Sequence, residues 1–89
     1  MTRHVVSYDL SQPERNYAKV IDAIKSFPGW CHALESVWII QSDLSAEDIR
    51  NRLKTALDAD DKLMVAAMGG AWATYNVGSE QTNWLYKAA

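Results

Sequence analysis

The sequence predicts an α+β domain in which two helices pack on one face of a single β-sheet. Its length is the first observation, because 89 residues with a hydrophobic content of 48% can form one modest core but not two. The second is the alternation of strand-like and helix-like periodicity in the order β, α, β, α, β, with a middle strand segment that could be split in two. The third is the resulting ratio of roughly four strands to two helices, which the ferredoxin-like arrangement βαββαβ accommodates in one sheet.

The chain begins with a strand and a helix. The strand is predicted over "HVVSYDL", residues 4–10, where β-branched and aromatic residues alternate between two faces. Ser11 then lies three residues before Glu14, as in a capping box, and Pro13 suits a first helical turn because its missing N–H costs nothing there. The proline–glycine pair at 28–29 ends this helix. Its apolar positions at helical spacing are Tyr17, Val20, Ile21, Ile24 and Phe27.

The middle of the chain holds the next strands and the second helix. Residues 30–41, "WCHALESVWIIQ", predict either one long bent strand or a short strand leading into a better one. Ser45 is the expected N-cap of the second helix, with Glu47 and Asp48 near the positive end of its dipole. The last core strand is predicted over residues 63–68.

One domain is expected over residues 1–89, with a core at 4–68 and a C-terminal extension at 69–89. In the extension, Ser79 could cap a short helix that reaches Leu85. Both faces of the middle strand segment are largely apolar, which a sheet covered on one side alone would not need. We therefore expect a second copy of the chain to cover the other face, so that the protein forms a homodimer through the sheet.

Charge and composition exclude several classes of protein. Nine Lys and Arg against eleven Asp and Glu give a net charge of −2, which disfavours strong, non-specific binding to nucleic acid. Cys31 is the single cysteine, so an intrachain disulfide and a four-cysteine zinc site are both excluded. The sequence has no apolar run of signal-peptide length at its start and none long enough to span a membrane. We therefore expect a cytoplasmic protein with no membrane partner.

Asp9 is the main candidate for a functional residue. It ends a strand just before a helix, where α/β folds commonly place ligand-binding groups. A carboxylate at this position can equally end the strand by bonding to its own turn. One carboxylate is too little for a tight Mg²⁺ site, which needs further oxygen ligands from another chain, a phosphate or water. A dimer would supply a second copy of Asp9.

Three other groups of residues have simpler interpretations. Cys31 and His32 are adjacent in a strand, so their side chains point to opposite faces and cannot grip one ion or act as a nucleophile–base pair. The acidic run at 58–61 starts like a calcium loop, but Lys62 stands at the fifth position and no glycine follows, which favours a solvated turn. Basic residues on the two helices could form a phosphate-contacting stripe or only solvated helix faces. They are Arg15, Lys19, Arg50, Arg52 and Lys54.

The ordered segments "VVSYDL", "ERNY", "LESVWII" and "DDKLMVAAM", within residues 4–68, resemble the CRISPR-associated protein 2 family. The most specific element of this resemblance is the Tyr-Asp pair that ends the first strand. Nearly the whole chain, including "GGAWATYN" and "NWLYKA", is similar to uncharacterised bacterial relatives of that family that are sometimes labelled SinR-like. The family comprises small ferredoxin-like proteins that dimerise through the sheet.

The resemblance implies an activity and a set of partners. Asp9 would correspond to the family's strand-one aspartate, which from each subunit helps to hold a divalent metal, Mg²⁺ or Mn²⁺, for endonucleolytic hydrolysis of RNA or DNA. In the nuclease hypothesis, basic residues of the first helix, Arg15 or Lys19, would steer the phosphate backbone. Some members also bridge a CRISPR integrase partner. A non-catalytic dimeric scaffold or binding module of the same fold remains the alternative, favoured by the net charge of −2 and by the lack of a second acidic ligand near Asp9.

Overall fold

The computed structural model describes residues 1–87, with the side chains of residues 13–16 excepted, and this part of the chain contains four strands and three helices. In chain order they are β1 (Thr2–Asp9), α1 (Pro13–Lys25), β2 (Gly29–Leu34), β3 (Val37–Ser42), α2 (Ala46–Lys54), β4 (Lys62–Ala67) and α3 (Ser79–Lys87). The middle segment is thus two strands, which was one of the two predicted alternatives. The predicted βαββαβ order is confirmed, and α3 follows it.

The four strands form one sheet in the order β2-β3-β1-β4, and every neighbouring pair is antiparallel. β1 lies in the interior, where Val6 pairs with Trp38 of β3 on one side and with Val65 of β4 on the other. Directly opposite residues of an antiparallel pair point to the same face of a sheet. The residues in register with Val6 therefore face the same core, and the ferredoxin-like α+β fold is confirmed.

The main core lies between the sheet and helices α1 and α2. Alternate residues of the strands point towards it. In a buried polar contact within this core, the Trp38 Nε1–H donates to the Tyr8 hydroxyl at 3.2 Å. This pairing satisfies an indole donor that would be unfavourable to bury alone. The buried members of this core are Val6, Tyr8, Val20, Ile24, Phe27, Trp38, Ile40, Ile49 and Leu53.

The second face of the sheet is partly covered by the chain itself. Leu85 of α3 is buried against Cys31 and Ile39, and the Arg3 Nη1 donates to the Leu85 carbonyl at 2.9 Å. Because β4 lies at one edge of the sheet and α3 packs against β2 at the other, residues 69–78 cross this face between β4 and α3. α3 and the segment before it therefore cover part of this face, and the homodimer through the sheet stays a prediction.

The helix starts agree only in part with the predictions. Ser45 is the N-cap of α2 as expected, with its hydroxyl accepting the Asp48 N–H at 3.1 Å. The capping box at Ser11 is wrong, because Gln12 is the N-cap of α1 and no described side chain accepts a capping bond there. The Ser11 hydroxyl instead donates to Asp61.

Within the described residues, no helix has the length and apolar character required to cross a bilayer.

Candidate functional site

Asp9 is the last residue of β1, and its side chain is exposed. The alternation along the strand places it on the second face of the sheet, while Tyr8 beside it points into the main core. Lys62, the first residue of β4, lies directly opposite Asp9 in the β1–β4 pairing. Both residues line a shallow cavity of about 190 Å³ that also includes Ser7 and Met64.

The second face is covered at one end and open at the other. The residues in register with Val5 are Ile39 and, through Ile39, Cys31, and these lie beneath α3. A second row of residues crosses all four strands at Ser7, which lies between Val5 and Asp9 on β1. This row lies outside the cluster that α3 covers. We call it the open row, and it consists of Leu34, Val37, Ser7 and Met64.

The open row is apolar for a surface, and Asp9 lies next to it. Leu34 is 56% exposed and Met64 is 64% exposed, so two large apolar side chains face solvent on the same face of the sheet. Because side chains alternate along a strand, Asp9 points to the same face of the sheet as Ser7, two residues before it. An exposed carboxylate therefore borders an unpartnered apolar strip, which is typical of a surface that meets another molecule.

The charges at this end of the sheet are one carboxylate and one ammonium. Asp9 can supply one or two oxygen ligands to a divalent cation, and Lys62 opposite it carries the charge that attracts a phosphate. Among the residues that the structure describes, no three His, Cys, Asp or Glu side chains group closely enough to hold a metal. A metal at Asp9 would therefore need ligands from a second copy, from a phosphate or from water.

Asp61 holds the loop that follows Asp9 in place. Its Oδ1 accepts the Ser11 backbone N–H at 2.8 Å and the Ser11 hydroxyl at 2.9 Å, while its Oδ2 accepts the Asp58 N–H at 2.8 Å. These bonds join the β1–α1 loop to the turn before β4. The acidic run at 58–61 is therefore not only a solvated turn, because one of its carboxylates ties the two segments that flank the Asp9 and Lys62 pair.

The predicted basic residues do not converge on Asp9 within one chain. Lys19 is exposed on α1, which packs against the face of the sheet opposite to the Asp9 side chain. The Arg15 side chain lies outside the described residues. Arg52 of α2 donates to the Ser26 hydroxyl at 2.9 Å and so connects the two helices.

Cys31 and His32 lie on opposite faces of β2, as predicted. Burial raises the pKa of the Cys31 thiol, which keeps it in the protonated, poorly nucleophilic form. The His32 ring stacks on Trp38 with a centroid distance of 4.0 Å, and its Nε2–H donates to the Glu35 carbonyl at 3.0 Å. Both side chains are therefore engaged in packing or in a local hydrogen bond.

Sequence reasoning missed Lys62 as part of the site. In the sequence it stands out only as the residue that breaks the calcium-loop pattern of the preceding acidic run. The signal that could have found it is the antiparallel pairing of the first and last core strands, which brings the end of one beside the start of the other. The register that selects this lysine depends on where β4 begins, and a single sequence leaves that start uncertain by several residues.

Comparison with known proteins identifies the fold and no more. No protein-family model matches the chain, and no curated protein matches it either. The crystal structure of a hypothetical protein, TT1823 from Thermus thermophilus, is similar with a TM-score of 0.68 and 22% sequence identity. The similarity covers 86% of this chain and 94% of that one. The two proteins therefore share a fold over nearly their whole length.

Proposed function

We propose that the chain acts as a homodimer in which Asp9 from two copies binds Mg²⁺ or Mn²⁺ and promotes phosphodiester hydrolysis in RNA or DNA. The observation that supports this most is the position of Asp9, exposed on the second face beside the open row. Carboxylate oxygens are the ligands these hard cations prefer. The resemblance of the sequence to the CRISPR-associated protein 2 family supports the same assignment.

Dimerisation uses the open row in this proposal. Leu34 and Met64 are the exposed apolar residues of that row, and burying them against a copy of themselves removes apolar surface from water. A two-fold axis through such a strip makes the contact self-complementary. The neighbouring Asp9 of each copy then lies near the axis, so two carboxylates supply what one cannot.

In this proposal, each residue at the site has a separate role. Asp9 holds the cation, which when bound polarises the phosphate and activates a water molecule. Lys62, directly opposite Asp9, contacts phosphate groups and positions the backbone without reading the sequence. An integrase partner and a cytoplasmic location belong to the same proposal and rest on the family resemblance.

A non-catalytic dimeric scaffold or binding module is the second candidate. The observation that favours it is Lys62 opposite Asp9, because an adjacent ammonium opposes the binding of a divalent cation to that carboxylate. The described residues also offer no group of three metal-binding side chains. The same open row would form the dimer in this case.

The test compares wild-type protein with Asp9→Asn on short single-stranded RNA and on duplex DNA, with Mg²⁺, with Mn²⁺ or with EDTA. Asp22→Asn is the matched control, because this aspartate is exposed on α1. We expect metal-dependent cleavage by the wild type and by Asp22→Asn, and none by Asp9→Asn. Equal cleavage by all three proteins, or cleavage that survives EDTA, would contradict the nuclease proposal.

Met64→Lys tests the dimer separately. We expect light scattering to show a dimer for the wild type and a monomer for this variant, since a charge within the open row opposes its burial. A wild-type dimer that cleaves nothing under any metal condition would favour the scaffold. A monomeric wild type would contradict both candidates.

A further inference from the structure

A cavity of about 320 Å³ lies between α2 and the start of β4. This volume is within the range of small-ligand pockets, roughly 300–1,000 Å³. Leu63 of β4 lines this cavity and also the smaller one beside Asp9, so the two cavities adjoin. Because Leu63 lies opposite Tyr8 and packs against the main core, the larger cavity is on the helix side of β4.

Two cations of α2 line this cavity. Arg50 and Lys54 are four residues apart, so they lie on the same side of the helix. The Asn51 side-chain oxygen orients the Arg50 guanidinium by accepting from its Nε at 3.2 Å and from its Nη2 at 2.9 Å. These two bonds use one edge of the guanidinium, and the Nη1 group lies away from that edge. Lys54 is exposed, and its ammonium supplies three more donors, so the pair suits a phosphate group.

Two carboxylates line the same cavity and differ in what they already bind. Asp61 accepts from the Ser11 N–H, the Ser11 hydroxyl and the Asp58 N–H, so both of its oxygens are engaged. Asp58 is exposed, and a carboxylate has about four acceptor positions, which leaves room for a bond from a ligand. A ligand that suits this wall therefore carries an anionic group beside a hydrogen-bond donor.

The rest of the lining is apolar and consists of Leu57, Ala59 and Leu63. Leu57 and Leu63 also pack against the main core, which fixes the floor of the cavity. A nucleotide of single-stranded RNA combines the features that these walls require. Its phosphate is anionic, its 2′-hydroxyl is a nearby donor, and its unpaired base has an apolar face. A duplex supplies no such nucleotide, because its bases are stacked and paired within the helix.

We propose that this cavity binds one nucleotide of a single-stranded RNA, with its phosphate on Arg50 and Lys54 and its 2′-hydroxyl donating to Asp58. The inference rests on the proposed function, because it selects RNA among the substrates of that proposal and gives the strand a path. In the described part of the chain, β4 pairs only with β1, so its outer edge is open. A strand that passes over this edge continues towards Lys62 and Asp9 on the other face.

Binding is measured by fluorescence anisotropy with a short, end-labelled oligouridine RNA, in EDTA so that no metal-dependent cleavage occurs. Oligodeoxyuridine of the same length is the comparison ligand, because it differs only in the 2′-hydroxyl. We expect the RNA to bind about tenfold more tightly than the DNA, which is the effect of one charge-assisted hydrogen bond. Equal affinities for the two ligands would overturn the proposal.

Lys54→Gln and Lys25→Gln form a matched pair of variants, since both lysines lie in the last turn of a helix. We expect Lys54→Gln to weaken RNA binding about fivefold and to lower the slope of log affinity against log salt by about 0.7. Lys25→Gln should leave both unchanged. Asp58→Ala should abolish the preference for RNA over DNA, whereas Asp60→Ala, in the same exposed turn, should retain it.

This proposal and the nuclease proposal fail separately. Metal-dependent cleavage that requires Asp9, combined with unchanged RNA affinity in Lys54→Gln, would overturn the cavity assignment and leave the nuclease. Retention of the RNA preference by Asp58→Ala would also overturn the cavity assignment. The expected binding pattern without cleavage under any metal condition would support the cavity and contradict the nuclease.

Discussion

Asp9 and Lys62 lie directly opposite each other in the antiparallel pairing of β1 with β4, on the same face of the sheet. Opposite charges at such a position stabilise a sheet by roughly 0.2–1 kcal/mol, and like charges destabilise it. The pair therefore has a structural effect that is independent of any activity. That effect can be measured without a substrate.

Lys62→Glu should lower the free energy of unfolding by about 1 kcal/mol, because it places two carboxylates opposite each other. Adding Asp9→Asn to Lys62→Glu should recover part of the loss. Urea denaturation of both single variants, the double variant and the wild type gives the coupling. A loss from Lys62→Glu that is the same with and without Asp9 would show that the two side chains do not interact.

Asp61→Ala should destabilise the protein by roughly 0.5–1.5 kcal/mol, since it removes the acceptor of three exposed hydrogen bonds, from the Ser11 N–H, the Ser11 hydroxyl and the Asp58 N–H. Asp60→Ala is the control, because Asp60 is an exposed neighbour in the same turn. Urea denaturation compares the two variants. Similar stabilities for them would refute the assigned role of Asp61 in joining the two loops.

Tyr8→Phe should lower stability by roughly 1–3 kcal/mol, because the buried Trp38 Nε1–H loses its acceptor. Tyr75→Phe removes the same hydroxyl from a side chain that is 94% exposed, and it should change stability little. Thermal and urea unfolding measure both variants. The prediction fails if Tyr8→Phe is as stable as the wild type.

Leu85→Ala should weaken the packing of α3 on the sheet and lower stability by roughly 2–5 kcal/mol, the range for deleting a buried leucine side chain. It should also speed the reaction of Cys31 with a thiol reagent, because Leu85 packs against that residue. Asn83→Ala, on the exposed side of α3, is the control for both measurements. A Cys31 reaction rate that is identical in both variants would contradict the covering role of α3.

Stability should fall as the pH rises above about 9. Burial raises the pKa of Cys31 above its ordinary value of 9.0, and burial also raises the pKa of Tyr8 above 10.0. Below pH 9 both groups are protonated in the folded and unfolded states, but above it the unfolded state loses its protons first and is favoured. Unfolding free energies of wild type and Cys31→Ala from pH 7 to 10 should show a steeper decline for the wild type. Parallel curves would argue against a role for the thiol.

Much of the fold was predictable because its signals are local. The alternation around Val6, the helical stripe through Ile24 and the cap at Ser45 each depend on neighbouring residues, and together they indicate the element order. The capping box at Ser11 failed for a tertiary reason. Its hydroxyl bonds to Asp61, which lies 50 residues further along the chain, and no local pattern indicates that pairing.

The second face and the site were less predictable because both depend on long-range register. Leu85 and Trp72 cover the sheet beside Cys31 only because the chain crosses the sheet between β4 and α3. No short segment of the sequence indicates the strand order on which this crossing depends. The pairing of Asp9 with Lys62 has the same origin. Asp9 itself could be singled out, since a carboxylate at a strand end is a local feature.

The bond from Arg3 to the Leu85 carbonyl joins residues 82 positions apart and has a consequence for synthesis. A ribosome makes the whole sheet before it makes the helix that covers one end of its second face. During that interval Ile39 and Cys31 lie on an open surface, and collisions between nascent chains can bury it wrongly. Folding of this domain is therefore complete only when residue 87 has left the ribosomal tunnel, and slow translation of residues 69–87 would lengthen the period of greatest risk of aggregation.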